Sequence, residues 1–337
     1  MTRTGYWVAY KLRWQRRKLL WRALRSRHAL KAINIRTDCI GRNDILCVMT
    51  LRNEMLRLPY FLKHHRALGV DHFLIVDNGS TDGTTDWLAH QTDVSLWGTT
   101  ASYRAARFGV DWTTWLQMRF AHGHWCLVLD ADELLVYDGC SSRDLHGLTA
   151  ALDTRRIEGF GALMVDLYPK GPVSNATYTS GSDPTHCLHW FDPGPFRVVR
   201  QWPKQNLWVQ GGVRDRVFFA SEASKAPTLN KLPLMRWHRR YAWLNSCHSA
   251  LPARLNLLYE GPDSTGPAGA LLHTKFLPDV TKRAREEKVR RQHFNRPRAF
   301  DGYYDEVARG PDLWWDGAQR YTGPESLVQA GLMPRLD

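Results

Sequence analysis

The chain has 337 residues, 43% hydrophobic and 23% charged, enough for one large domain or two small ones with a substantial core. Its net charge of +13 is uneven: residues 1–37 hold eleven Lys or Arg and no acid, leaving 35 basic against 33 acidic residues in the rest. A near-neutral body excludes a domain-wide phosphate-tracking surface, so no nucleic-acid partner is expected.

Residues 5–32 predict one amphipathic helix. Trp7, Tyr10, Trp14, Trp21 and Leu24 recur at spacings of three, four and seven and share a stripe, while Arg13, Arg16, Arg17, Arg27 and Lys31 fill much of the remaining surface. Residues 1–37 therefore read as a basic arm, joined to the body by the polar stretch Asn34 to Asn43. From Asp44 strands and helices alternate. Ile45 to Met49 is a buried strand, and Pro59 to Leu68 a helix with Pro near its first turn and Gly69 as its stop. His72 to Val76 is a second strand ending at Asp77, and Asn78-Gly79-Ser80-Thr81-Asp82-Gly83 is a turn that can cap a helix from Thr84. Val94 to Trp97 is a third strand. Asp111 is placed to cap a helix ending at Gly123, and Trp125 to Leu129 is a fourth strand running into Asp130. This alternation predicts an α/β fold with a mostly parallel sheet flanked by helices. Residues 170–240 read as loops and mixed strands, Lys282 to His293 as a charged helix, and Asp312 to Met333 as a tail that packs back on the body. The six cysteines show no CxxC pairing and read as small buried side chains in a reducing compartment. No apolar run approaches the roughly 20 residues that span a bilayer, and basic residues break up the N-terminus where a signal peptide would be apolar. The expected location is cytoplasmic, with the option of peripheral attachment to the inner face of the membrane.

Ligands of parallel α/β sheets sit at the carboxyl ends of strands. Three polar clusters fall at such ends: Arg52-Asn53-Glu54, Asp77-Asn78-Gly79-Ser80 and Asp130-Ala131-Asp132-Glu133. Asp130 and Asp132 are two hard carboxylates at positions i and i+2 leaving an extended strand. They suit Mg2+ or Mn2+ with coordination positions left for phosphate oxygens. A departing diphosphate develops charge that such an ion offsets.

The order of these segments resembles the family 2 glycosyltransferases of GT-A fold. The likeness rests on Asn53-Glu54, then Ile75-Val76-Asp77-Asn78-Gly79-Ser80-Thr81-Asp82, then Leu127-Val128-Leu129-Asp130-Ala131-Asp132-Glu133, and spans about residues 44–136. Beyond it only Gly211-Gly212 and Leu271-Leu272-His273 are suggestive. The resemblance implies that Asp77 receives the nucleobase of a UDP- or GDP-sugar donor, that Asn53, Glu54 and Asn78 line the nucleotide pocket, and that Asp130 lies near ribose and metal. Asp132 would ligate the metal, and His273 would be a further metal ligand with Lys275 beside it to neutralise phosphate. Arg104 or Arg107 could counter the diphosphate. Inverting transfer also needs a general base near the acceptor hydroxyl. The family's base motif is not recognisable, and Asp215 and Asp192 are the candidates. Trp190, Trp202 and Trp208 could stack on an acceptor sugar.

The expected organisation is thus a basic arm (1–37), a nucleotide-sugar-binding α/β half (44–168) and an irregular acceptor-side half (169–337). The expected activity is transfer of a sugar to a glycan or lipid-linked acceptor, with the arm able to rest on an anionic membrane. A Mg-dependent nucleotidyltransferase would use the same fold and paired carboxylates, but usually with a Gly-rich basic loop where this chain has Thr50-Leu51-Arg52-Asn53-Glu54. A non-enzymatic nucleic-acid binder would account for the arm and leave three acidic strand ends unexplained.

Overall fold

The computed structural model describes residues 3–290 and 301–336. Helix α1 (Arg3–Ser26) leads to a short strand β1 (Lys31–Asn34). Alternation follows: β2 (Leu46–Leu51), α2 (Leu58–Ala67), β3 (His72–Asp77), α3 (Thr84–Ala89), β4 (Val94–Gly98), α4 (Val110–Phe120) and β5 (Trp125–Val128). Then come β6 (Glu133–Val136), α5 (Leu145–Thr154), β7 (Gly159–Asp166), β8 (Trp190–Phe191), β9 (Phe196–Gln201) and β10 (Asn206–Gly211). The rest comprises α6 (Gly212–Phe218), β11 (Asn230–Arg236), β12 (Ala242–Trp243), β13 (Ala250–Leu251), β14 (Ala268–His273), α7 (Val280–Arg290), α8 (Asp301–Ala308), β15 (Gln319–Arg320) and α9 (Pro324–Gln329).

Nine strands form the central sheet in the order β1-β4-β3-β2-β5-β11-β7-β14-β6. Following the pairings across it, β4, β3, β2, β5, β7 and β14 run one way, and β1, β11 and β6 run the other. This is the mostly parallel α/β fold the alternation predicts. β3 and β7 are buried at every position, as expected for strands covered on both faces. α2 starts with Pro59 in its first turn, buries Leu58, Phe61 and Leu62, and is followed by Gly69 at φ +96°.

The chain steps from β2 outward through β3 to β4, then returns to place β5 on the other side of β2. That reversal opens a crevice between the carboxyl ends of β2 and β5, the usual seat of a ligand in an open α/β sheet.

Several elements differ from the sequence expectation. α1 ends at Ser26, and the chain then turns so that β1 pairs antiparallel with β4. β4 would otherwise be an open sheet edge. Asp111 does not cap α4: Gly109, at φ +77°, takes that position, and a side chain there would lie 2.8 Å from the Cβ of Thr50. Asp111 sits in the first turn and binds Arg22 at 2.9 Å and Arg107 at 3.1 Å. The stretch read as loops and mixed strands contains β11, which lies mid-sheet between β5 and β7. All six cysteines are free, with Cys47, Cys126 and Cys247 buried. The tail packs back through buried Leu313, Leu327 and Leu332. The expected charged helix is α7 as far as Arg290, and residues 291–293 of it lie outside the described residues.

Candidate active site

The Asp-Ala-Asp-Glu segment forms the turn from β5 into β6, held by the Asp130 N–H donating to Glu133 Oε2 at 3.1 Å. Sheet register sets the next layer. Glu133 on β6 lies opposite His273 on β14, and His273 lies opposite Asp166 on β7. The Thr274 N–H donates to the Asp132 carbonyl at 2.7 Å, tying the end of β14 to the turn. This backbone frame produces a chain of charged side chains. Asp132 Oδ2 is 3.1 Å from His273 Nε2, His273 Nδ1 is 2.5 Å from Asp166 Oδ1, and Arg214 Nε donates to Asp166 Oδ2 at 2.7 Å. A second group stands beside it. Lys231 on β11, 2% exposed, places Nζ 3.0 Å from Asp130 and 2.8 Å from Glu133, which is 1% exposed.

The electrostatics follow from these contacts. Burial works to raise Asp132, but His273, with Arg57 and Lys275 further out, outweighs it and holds the carboxyl well below its usual range. Burial likewise opposes ionisation of Asp166, and Arg214 and His273 overcome it to bring the group to about 2. Burial works against the charge on His273, yet the two carboxylates facing its ring nitrogens push its pKa up. Burial pushes Glu133 up while Lys231 pulls the other way, and Lys231 keeps its proton because Asp130 and Glu133 offset its own burial.

Among the described residues no cluster of three or more His, Cys, Asp or Glu side chains forms a complete metal cage. The donors that do converge are Asp132 Oδ2 and His273 Nε2, the first partly exposed and the second nearly buried. One carboxylate and one imidazole, with the other ring nitrogen held by Asp166, could take a divalent ion once His273 Nε2 gives up the proton that its carboxylates favour, with phosphate oxygens and water as further ligands. Asp130 leans instead toward Lys231.

The other sequence candidates divide by what already holds them. Asn53 has φ +54°; its Oδ1 accepts from the Thr81 N–H at 2.8 Å, and its N–H donates to Ser80 Oγ at 2.9 Å. Glu54 is clasped by Arg283 through two bonds of 2.7 and 2.8 Å, which straps α7 over the end of β2. Arg57 and Asp279 add a second strap, with two bonds of 2.7 Å. Asp77 accepts from Ser80 N–H at 3.2 Å, from Ser80 Oγ and from Thr85 Oγ1 at 2.6 Å. Asn78 donates to the carbonyls of Thr99 and Ala101 at 3.1 and 3.0 Å. All four stand at the carboxyl ends of β2 and β3 and shape the crevice wall through its loops. Arg104 is exposed on the loop before α4, whereas Arg107 is spent on Asp111 and on the carbonyls of Trp243 and Leu244.

Neither base candidate stands free. Asp215 forms a two-bond pair with Arg197 at 2.7 and 2.8 Å. Asp192 is buried and accepts from Tyr168 Oη, from Arg216 Nε at 2.8 Å and from Trp315 Nε1 at 3.0 Å, which makes it a hub tying β8 to the tail. Asp192→Asn should accordingly lower stability by about 2–3 kcal/mol, since a buried ion pair loses its charge and a donor loses its acceptor. Thermal unfolding measures this. An unchanged Tm together with lost turnover would instead make Asp192 the base. Of the Trp residues, Trp202 is exposed at the β9–β10 turn, while Trp190 packs edge-on against Trp314.

Sequence reading passed over Lys231, Asp166 and Arg214. Asp166 carries the same signal as Asp77 and Asp130, an acid closing an apolar run, here Gly159 to Val165. Lys231 is a lone cation inside the apolar stretch Leu229 to Met235, a position that calls for a buried partner. Arg214 carries no comparable sign.

No family model and no curated protein matches the sequence. Among solved structures, TarS of S. aureus is similar at 14% identity and a TM-score of 0.25, over 38% of this chain and 22% of TarS. A chain described as a glucose-1-phosphate thymidylyltransferase from Bacillus anthracis, in complex with a sucrose, is similar at 10% identity and a TM-score of 0.30, over 85% of this chain and 94% of that one. At such TM-scores neither likeness bears on the chemistry of the site.

Proposed function

We propose that the protein is a glycosyltransferase that moves a sugar from a nucleotide-sugar donor, UDP- or GDP-linked, to a glycan or lipid-linked acceptor with inversion. It would work in the cytoplasm or at the inner face of a membrane. The observation that carries this reading is the meeting of Asp132 and His273 at 3.1 Å beside the crevice where the strand order reverses, although 141 positions separate them in the chain.

In this reading Asp132 and His273 hold Mn2+ or Mg2+, which when bound supplies positive charge against the departing diphosphate. Asp166 keeps the His273 ring in one orientation, with Nδ1 engaged and Nε2 turned to the crevice. Lys275, near enough to bias Asp132, adds a second positive charge on the phosphate side. The loops built by Asn53, Asp77 and Asn78 shape the nucleoside end of the crevice, and the α7 straps to Glu54 cover it and exclude water. Lys231 fixes the Asp130–Glu133 turn so that Asp132 is presented in one position.

A thermal-shift screen of UDP-, GDP- and CMP-sugars with and without Mn2+ tests the reading. One nucleotide series should raise Tm by several degrees, and only with the ion present. His273→Ala should weaken the Mn2+ and nucleotide effects together, because one ion would join the two. No shift with any donor would sink the proposal, and an unchanged Mn2+ titration in His273→Ala would remove that residue from it.

A further inference from the structure

Helix α1 is docked by one face and bare on the other. Val8, Leu12 and Leu19 are half-buried and Ala23 is fully buried, on a helix that packs against α4 and β12. Arg22 locks it in place through Asp111 at 2.9 Å and the Ala105 carbonyl at 3.0 Å. At about 100° per residue, Trp7, Tyr10, Trp14 and Trp21 fall within roughly 60° of one another and roughly opposite the docked side. They are 58%, 51%, 52% and 59% exposed, with the Trp7 and Tyr10 rings stacked at 5.5 Å. A helix held to its own protein by its lesser apolar face, with these four aromatics and the neighbouring Tyr6 left in water, calls for an external partner.

Charge identifies that partner. On the same wheel Arg13 and Arg17 flank the aromatic stripe on one side, and Lys11 and Lys18 flank it on the other. Lys11 lies 5.4 Å from the Trp7 ring and Arg17 lies 5.0 Å from the Trp14 ring. Further cations, Arg16 with Arg239 and Arg240 after β11, gather nearer the docked side of the helix. Burial, then Arg13 and Arg240, depress the Arg16 pKa. No acid lies within residues 1–37 to relieve this crowding. Aromatic rings between two rows of cations match an anionic bilayer surface, where indole rings sit at headgroup depth and Lys and Arg meet the phosphates. A spanning role does not compete, because no helix among the described residues is long and apolar enough to cross a membrane.

We infer that α1 docks the protein on an anionic lipid bilayer, with the helix axis in the membrane plane and Trp7, Trp14 and Trp21 in the headgroup layer. The inference stands apart from the sugar-transfer reading, because its residues are not those of the site and its test measures no activity. Co-sedimentation of the full chain with phosphatidylglycerol vesicles should show binding at low salt that falls at least tenfold as salt screens the charges. Pure phosphatidylcholine vesicles should bind far less. Lipids brominated near the headgroup should quench and blue-shift part of the tryptophan emission of the unmodified protein. Replacing Trp7, Trp14 and Trp21 together by Ser should lower vesicle affinity at least tenfold while leaving Tm unchanged, since these rings support no core. Absence of binding, equal binding to both lipids, or undiminished binding of the triple variant would overturn the inference. So would a dimer in sedimentation velocity that the same three substitutions dissociate, which would assign the stripe to a second copy of the chain.

Discussion

Asp132→Asn is expected to reduce sugar transfer at least a hundredfold, about 2.7 kcal/mol in the barrier, with the fold retained. The substitution keeps the volume of the side chain and removes its charge. Two consequences converge. The proposed ion loses its only carboxylate ligand, since Asp130 is turned toward Lys231 at 3.0 Å. His273 also loses one of the two carboxylates that orient its ring. His273 holds the charged Asp132 carboxyl below its usual range, so removing the charge should cost some stability at neutral pH while leaving the variant folded. Steady-state turnover and thermal unfolding measured on the same preparation decide the matter. A folded variant that keeps more than a tenth of wild-type turnover would show that Asp132 does not hold the ion.

Lys231→Met should be the most destabilising single change in the site. It removes the cation in direct contact with Glu133, 1% exposed, and breaking a buried pair by removing one partner costs about 3–5 kcal/mol. The loss should depend on pH with a definite sign. Burial already raises Glu133 to about 7 in the wild type against the pull of Lys231; in the variant burial, with Asp130 and Asp132, raises it further and only His273 opposes them. A carboxyl raised in this way favours the folded state when protonated, so the deficit is largest above about 7, where the wild-type group ionises beside Lys231 and the variant's does not, and it shrinks as pH falls below that. Adding Glu133→Gln should restore at least about 2 kcal/mol of the loss, a coupling between two residues in direct contact. Urea unfolding on either side of that value, on the two single variants and the double variant, completes the cycle. Additive losses, or a deficit that ignores pH, would mean that the Lys231–Glu133 pair does not set the stability of the turn.

Much of the architecture from β2 to β5 was legible in the sequence, and the reason is local. β2, β3, β4 and β5 are short apolar runs that fold as buried strands wherever they sit in the chain. A polar residue that ends such a run must lie at the sheet's carboxyl edge, so Asn53, Asp77 and Asp130 could be assigned to one crevice from pattern alone. The basic arm and its aromatic stripe were legible for the same reason, since helical periodicity is a property of adjacent turns.

Only the tertiary structure decided which charges meet. The rung of Glu133, His273 and Asp166 exists because β6, β14 and β7 are neighbours in the sheet, although they are far apart in the chain. Lys231 reaches Asp130 across 101 positions because β11 enters antiparallel beside β5. The same packing gave Asp192 and Asp215 cationic partners, and turned the stripe of α1 outward by burying Ala23 and half-burying Leu19 against the body. Periodicity shows which side chains share a face of one element. The partner of a buried charge is fixed by the strand or helix that packs beside it, and that choice is made by the whole chain minimising unpaired charge in its interior.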